Sequence, residues 1–203
     1  MRIRTITAAA AEPLSLDDVR AFLKQDGTDD DALITALIAG ARSWCEAFTR
    51  RALVTREVDL VLDEFPAFSP QSGRREIVLP LGRATSVTAI YYTDTDGNPQ
   101  TLTGPDADPA GTAFQQDIDD DHGGIIVPGY GLDWPGTRDV LGAVRVRYLA
   151  GYGDASDIPA QLLDAMRFHV ASLYESRGEQ DVKQWTGVAE ALARPYQIGW
   201  FGR

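Results

Sequence analysis

The amino-acid sequence predicts an α+β fold: a helical hairpin plus a third helix forming a small bundle, with a β-rich insert and an extended C-terminal arm. Three observations predict it. Apolar residues recur at helical spacing at Leu33, Leu37, Ala41, Trp44 and Phe48, and again at Leu162, Met166, Val170 and Leu173. Between these stretches, short alternating runs rich in β-branched and aromatic residues are separated by turn signals. The last residues hold Tyr196, Trp200 and Phe201 with little helical period. The boundaries that follow are an N-terminal arm (1–13), the hairpin (14–53), the β-rich insert (54–153), the third helix (154–178) and the C-terminal arm (179–203).

Each element has a local reason. Ser15 suits an N-cap, with Asp17 and Asp18 in the first turn where the helix dipole favours negative charge. That helix carries Leu16, Val19, Phe22 and Leu23 and stops near Asp26-Gly27. A second helix begins at Asp29 to Asp31 and ends with Arg50 and Arg51; a short loop between the two makes an antiparallel hairpin. Val58, Leu60 and Leu62 alternate with Glu57, Asp59 and Val61, as a half-buried strand does. Arg75 to Leu79 is a short strand. Ser86 to Thr93 leads into Asp96-Gly97, a strong hairpin signal, with Thr101 to Thr103 returning. Ala113 to Ile118 and Ile125 to Val127 can pair across an acidic turn, and Ala143 to Tyr148 alternates again. Asp157 and Pro159 start the third helix, which stops at Gly178. A short helical stretch is expected around Val188 to Ala193.

Composition narrows function. The chain has 203 residues, 19 basic against 30 acidic, and a net charge of −11. DNA affinity rests largely on Lys and Arg neutralising phosphates, so a broad DNA grip is disfavoured. Like charge does let a protein surround a polyanion without holding it. A single cysteine, Cys45, excludes an intrachain disulfide. No run is long enough to span a bilayer, and residues 1–13 lack a signal peptide's apolar stretch. A soluble protein made in the cytoplasm is expected.

No catalytic, cofactor or metal constellation emerges. Asp117, Asp119 and Asp121 match positions 1, 3 and 5 of a calcium loop, but His122 stands where glycine is needed and Pro128 where the bidentate glutamate belongs. A solvated acidic turn is the better reading. His122 and His169 are the only histidines, and no G-x-S-x-G elbow accompanies them. Cys45 sits among apolar helical neighbours, as a buried residue would. Phosphate-loop patterns are absent. Two features point instead to interaction. Arg145 and Arg147 alternate on one strand and can face DNA or a partner, or simply solvent. Tyr196, Trp200 and Phe201 form an aromatic segment suited to an assembly interface. From Arg194 onward, residues are expected to serve assembly more than the subunit's own fold.

The ordered set of segments resembles the phage head–tail connector (adaptor) family, which includes gene transfer agent adaptors. The opening helix Leu14 to Leu23, the acidic start Asp29-Asp30-Asp31-Ala32-Leu33-Ile34 and the stretch Ala41 to Leu53, with Ala41, Glu46, Thr49 and Arg51, carry the resemblance. So do Tyr148-Leu149-Ala150-Gly151-Tyr152-Gly153 followed by Ile158-Pro159-Ala160, and Leu192 to Tyr196. The resemblance implies a non-enzymatic subunit, without cofactor, that forms a ring under the portal protein. In this family the ring is usually dodecameric. It extends the DNA channel, through which DNA passes without specific binding, and joins the next tail or neck component. The implied location is the neck of a virion or virus-like particle. Another neck or tail-completion protein, a small hydrolase with a spatially assembled site and a secreted β-rich binding module are the competing readings. A deep pocket of converging polar groups would favour the enzyme, and broad flanking interfaces the connector.

Overall fold

Ser15 starts the first helix as its spacing suggests: its hydroxyl accepts the Asp18 N–H at 3.1 Å, capping α1 (Leu16–Leu23). In this computed structural model the described residues are 1–70, 72–104, 113–119, 123–176 and 183–199, with only the backbone of Asp119, Gly123 and residues 183–186. They fall into two compact units. Residues 9–55 and 152–199 make a helical unit; residues 1–8 and 56–151 make a sheet unit.

The helical unit contains α1, α2 (Asp31–Thr49), α3 (Ala160–Glu175) and α4 (Lys183–Ala193). Its core joins Val19 of α1, Ile34, Ile38, Ala41 and Cys45 of α2, and Leu162, Ala165, Met166 and Val170 of α3. The inward line of α2 therefore lies one residue beyond the expected one. Leu33, Leu37, Trp44 and Phe48 are only partly buried, on its flank. The helix has two adjacent apolar lines, and the one with the small residues Ala41 and Cys45 lets α3 approach closely, while the bulkier side chains wrap the sides. In the 3-10 turn Ala155–Asp157 that precedes α3, Asp157 Oδ2 accepts the Asp154 N–H at 3.0 Å and completes a capping box, so Asp157 caps this turn and not α3, whose N-cap position is Pro159. Gly153 adopts φ +119°, and a Cβ there would meet that carboxylate at 2.4 Å. The Gly151-Tyr152-Gly153 turn is thus filled by Asp157.

The sheet unit has two antiparallel sheets. One is five-stranded, in the order β1 (Arg2–Thr5), β2 (Arg56–Leu62), β8 (Val144–Ala150), β4 (Ala84–Thr93), β5 (Pro99–Thr103); the other is β3 (Ile77–Val78), β7 (Gly123–Pro128), β6 (Phe114–Asp119). Its apolar interior holds Val58, Leu60, Ile90, Val146 and Tyr148 of the first sheet with Phe114 and Ile126 of the second, all less than 1 % exposed. β4 and β5 meet through the expected Asp96-Gly97 turn, where Gly97 has φ +94°.

Two terminal segments differ from the sequence reading. The 1–13 arm contains β1, which pairs with β2 from Arg2 opposite Val61 to Thr5 opposite Val58. Four residues are too short for a periodic signal, and only a partner strand makes them a strand. The 179–203 arm contains α4, which packs on α3, and a final turn Arg194–Tyr196. Ala193 is fully buried and Ile198 nearly so, so the described stretch 183–198 is docked on the helical unit.

Candidate interaction surface

The antiparallel registers bring residues from four strands onto one face of the five-stranded sheet. One row runs Arg2, Val61, Arg145, Tyr91; the next runs Arg4, Asp59, Arg147, Ala89. Directly opposed residues share a face, so this face gathers four arginines in a chain that is acidic overall.

Asp59 anchors them. It is fully buried, and the guanidinium of Arg147 grips its carboxylate in a fork, Nε donating at 2.9 Å and Nη2 at 3.1 Å. The hydrogen bond to Asp59 raises the pKa of Arg147, helped by the nearby Glu57, so the arginine stays charged. Arg145 is less committed. Its Nε lies 3.6 Å from Asp59, and its side chain is 41 % exposed. Its guanidinium sits 4.7 Å from the Tyr91 ring centre, with Arg147 at 5.5 Å, both within cation–π reach. Arg2, Arg4, Tyr91, Leu141 and Arg145 line an open depression of about 320 Å³. The expected half-buried alternation of β2 is broken at Asp59 for this reason: the two arginines cover it. Arg145 and Arg147 are therefore brought together, and Arg2 and Arg4 join them. Sequence reasoning missed the latter pair because their placement depends on β1 pairing with β2.

The aromatic segment divides. Tyr196 packs, half-buried, against the core of its own helical unit. Its carbonyl accepts from Arg51 Nε at 2.7 Å, and two residues on, the Ile198 N–H donates to the Thr49 carbonyl at 3.0 Å. Trp200 and Phe201 lie outside the described residues. These bonds connect two pieces of the sequence resemblance. Ala41 is at the helix contact, Glu46 accepts the Leu53 N–H at 3.0 Å, Thr49 donates to the Cys45 carbonyl at 2.7 Å, and Arg51 holds the Leu192-to-Tyr196 segment. The pattern is a structural latch rather than a reactive site.

Two of the candidate chemical residues, Cys45 and His169, find ordinary places. Cys45 is fully buried, and burial pushes its thiol up to about 12, suppressing the nucleophilic thiolate. His169 stacks on Trp44 with ring centres 4.2 Å apart and planes 7° apart. His122, Asp120 and Asp121 lie outside the described residues. Among the described residues, no group of three or more His, Cys, Asp or Glu is placed to hold a metal ion, and no helix is long and apolar enough to cross a membrane.

The His169 stack carries a pH prediction. Desolvation lowers its pKa below the ordinary 6.5. As pH falls through 6.5, the unfolded chain takes up the proton first, so stability contributed by neutral His169 is lost on the acid side. A His169→Phe variant keeps an aromatic on Trp44 and removes the titration. Its melting temperature should gain on that of the unsubstituted chain between pH 7.5 and 5; parallel pH profiles would refute the assignment.

Comparison with known proteins bears on the fold and on residues 13–82. The family described as Phage gp6-like head-tail connector protein matches residues 13–82, the segment holding α1, α2, β2 and β3. No curated protein matches. Solved structures do. A chain in the neck of an empty gene transfer agent particle, computed with C6 symmetry, has a TM-score of 0.76 at 20% identity, covering 98% of this chain and 96% of that one. A chain of the virion of a native gene transfer agent particle gives 0.75 at 22%, with the same coverage. One in the neck of a native particle, computed with C12 symmetry, gives 0.72 at 23%, again with 98% and 96% covered. The resemblance to the head–tail connector family is thus a match in sequence over residues 13–82 and a likeness in fold, to these neck and virion chains, over nearly the whole chain.

Proposed function

We propose that this chain is a structural neck subunit that joins a head to a tail. Copies form a ring beneath a portal protein, DNA passes through that ring, and the next neck or tail component docks on it. The observation that carries the reading is the connector-family match on the α1–α2 hairpin, whose characteristic residues hold the helical unit together. The symmetric neck reconstructions containing similar chains support a ring, and the net charge of −11 suits a passage that must not retain DNA. Arg145 and Arg147 would then face a protein partner, and Trp200 and Phe201 would contribute to attachment.

The test is complementation in a particle-producing strain lacking this chain. Filled heads without tails are expected in its absence, with tailed particles restored by the intact chain. Normal tailed particles without it would overturn the proposal.

A further inference from the structure

Four strands of the sheet unit are terminal among the described residues, β1 and β5 in the five-stranded sheet and β3 and β6 in the three-stranded one, and of these β1 carries arginines and β6 carries aspartates. A terminal strand offers a row of N–H and C=O groups as a template for another strand. The observed bonds show which groups point outward. The Ile6 N–H donates to the Glu57 carbonyl. Antiparallel pairs alternate between bonded and non-bonded residues, so the backbone groups of Ile3 and Thr5 face away from β2. On the other sheet, the Gly129 N–H donates to the Ala113 carbonyl and the Leu79 N–H to the Gly124 carbonyl. The same alternation turns the backbone groups of Gln116 and Ile118 outward from β6.

The two edges are complementary. β1 is exposed throughout and carries Arg2 and Arg4. β6 carries exposed Gln115 and Asp117 at alternate positions, with Asp119 next in the series. Ile3 lies on the core side of the sheet, opposite the fully buried Leu60, yet is 42 % exposed. The apolar layer is unfinished there. Arginines on an edge repel a second basic edge, but they admit an acidic one. β6 lies against β4, and β4 is three strand positions, about 14 Å, from β1, so the edges belong to different flanks.

We propose that β1 of one copy adds antiparallel to β6 of a second copy, with Ile3 opposite Ile118 and Arg4 opposite Asp117. In this register the outward groups of Ile3 and Thr5 meet those of Ile118 and Gln116. Arg4 falls opposite Asp117 at a non-bonded position, where paired side chains come closest, and Arg2 falls opposite position 119 in the same register. Slipping by one residue loses both matches at once. The contact joins different surfaces on the two copies, the type that closes into a ring when the rotation permits. Ring closure rests on the neck-subunit reading; the strand contact does not.

Sedimentation of the full chain over a concentration series up to its solubility limit tests the contact, with circular dichroism checking each variant's fold. The intact chain should self-associate. Asp117→Lys should weaken association about tenfold or more, as reversing one close charge pair would, and Arg4→Glu should do the same. Combining the two should restore it. Ile3→Pro should abolish association while leaving the fold, because proline removes an outward donor that β2 does not use. A monomeric intact chain, unaffected single variants or a failed restoration would each overturn the proposal. The complementation assay is separate: tails restored by a chain whose association ignores these substitutions would keep the neck reading and remove this contact.

Discussion

Ending the chain after Ala193 is expected to destabilise the helical unit by about 4 kcal/mol. The nearly buried Ile198 contributes about 2 kcal/mol by its burial, and the two lost hydrogen bonds, to the carbonyls of Thr49 and Tyr196, about 1 kcal/mol each. Arg51 makes the loss worse. It is 5 % exposed, so losing the Tyr196 carbonyl, a bond already counted, also leaves a buried charge with one acceptor fewer. For a chain of this size the melting temperature should fall by roughly 8–16 °C. Ending after Gly199 instead keeps every one of these contacts. That shorter deletion should leave the melting temperature nearly unchanged while impairing attachment to heads. Equal melting temperatures for the two truncations would show that Tyr196 and Ile198 do not hold the unit together.

Asp59→Ala should cost about 2–3 kcal/mol. Removing one member of a buried ion pair typically costs about 3–5 kcal/mol, and the exposure of the arginines reduces that. Arg147 and Arg145 would lose their shared counter-charge and repel each other and Arg4 across the same face. Asp59→Asn should be milder, because an amide keeps the shape and one acceptor. In a double-mutant cycle, Asp59→Ala with Arg147→Ala should destabilise by less than the sum of the two single changes. Urea unfolding measures all four chains. A cost below about 0.5 kcal/mol for Asp59→Ala, the range of ordinary surface changes, would show that the carboxylate does not organise this face.

These two sites show where sequence reading reaches its limit. Ser15 as a cap, the Asp96-Gly97 hairpin and the pairing of β6 with β7 are legible because each signal lies within a few residues of what it governs. The latch at Thr49 and Arg51 appears in the sequence only as a resemblance. Its partners, Ile198 and Tyr196, lie some 145 residues away for the Arg51 bond, and nothing local names them. Asp59 reads as the polar side of an alternating strand, and it is polar. That it is fully buried follows from two arginines of β8 folding over it.

The sequence by itself determined the α+β class, the helices and most strands, and it carried the connector-family resemblance. These follow from periodicity, capping and turn chemistry, which act over one or two turns of chain. Only the tertiary structure decided the strand order β1-β2-β8-β4-β5, the inward line of α2, the gathering of Arg2 and Arg4 with Arg145 and Arg147, and the docking of Tyr196 on its own subunit. Each of these depends on which distant segment supplies the partner. A strand's open hydrogen bonds and a helix's two apolar lines accept more than one partner, and burial of the whole chain selects among them.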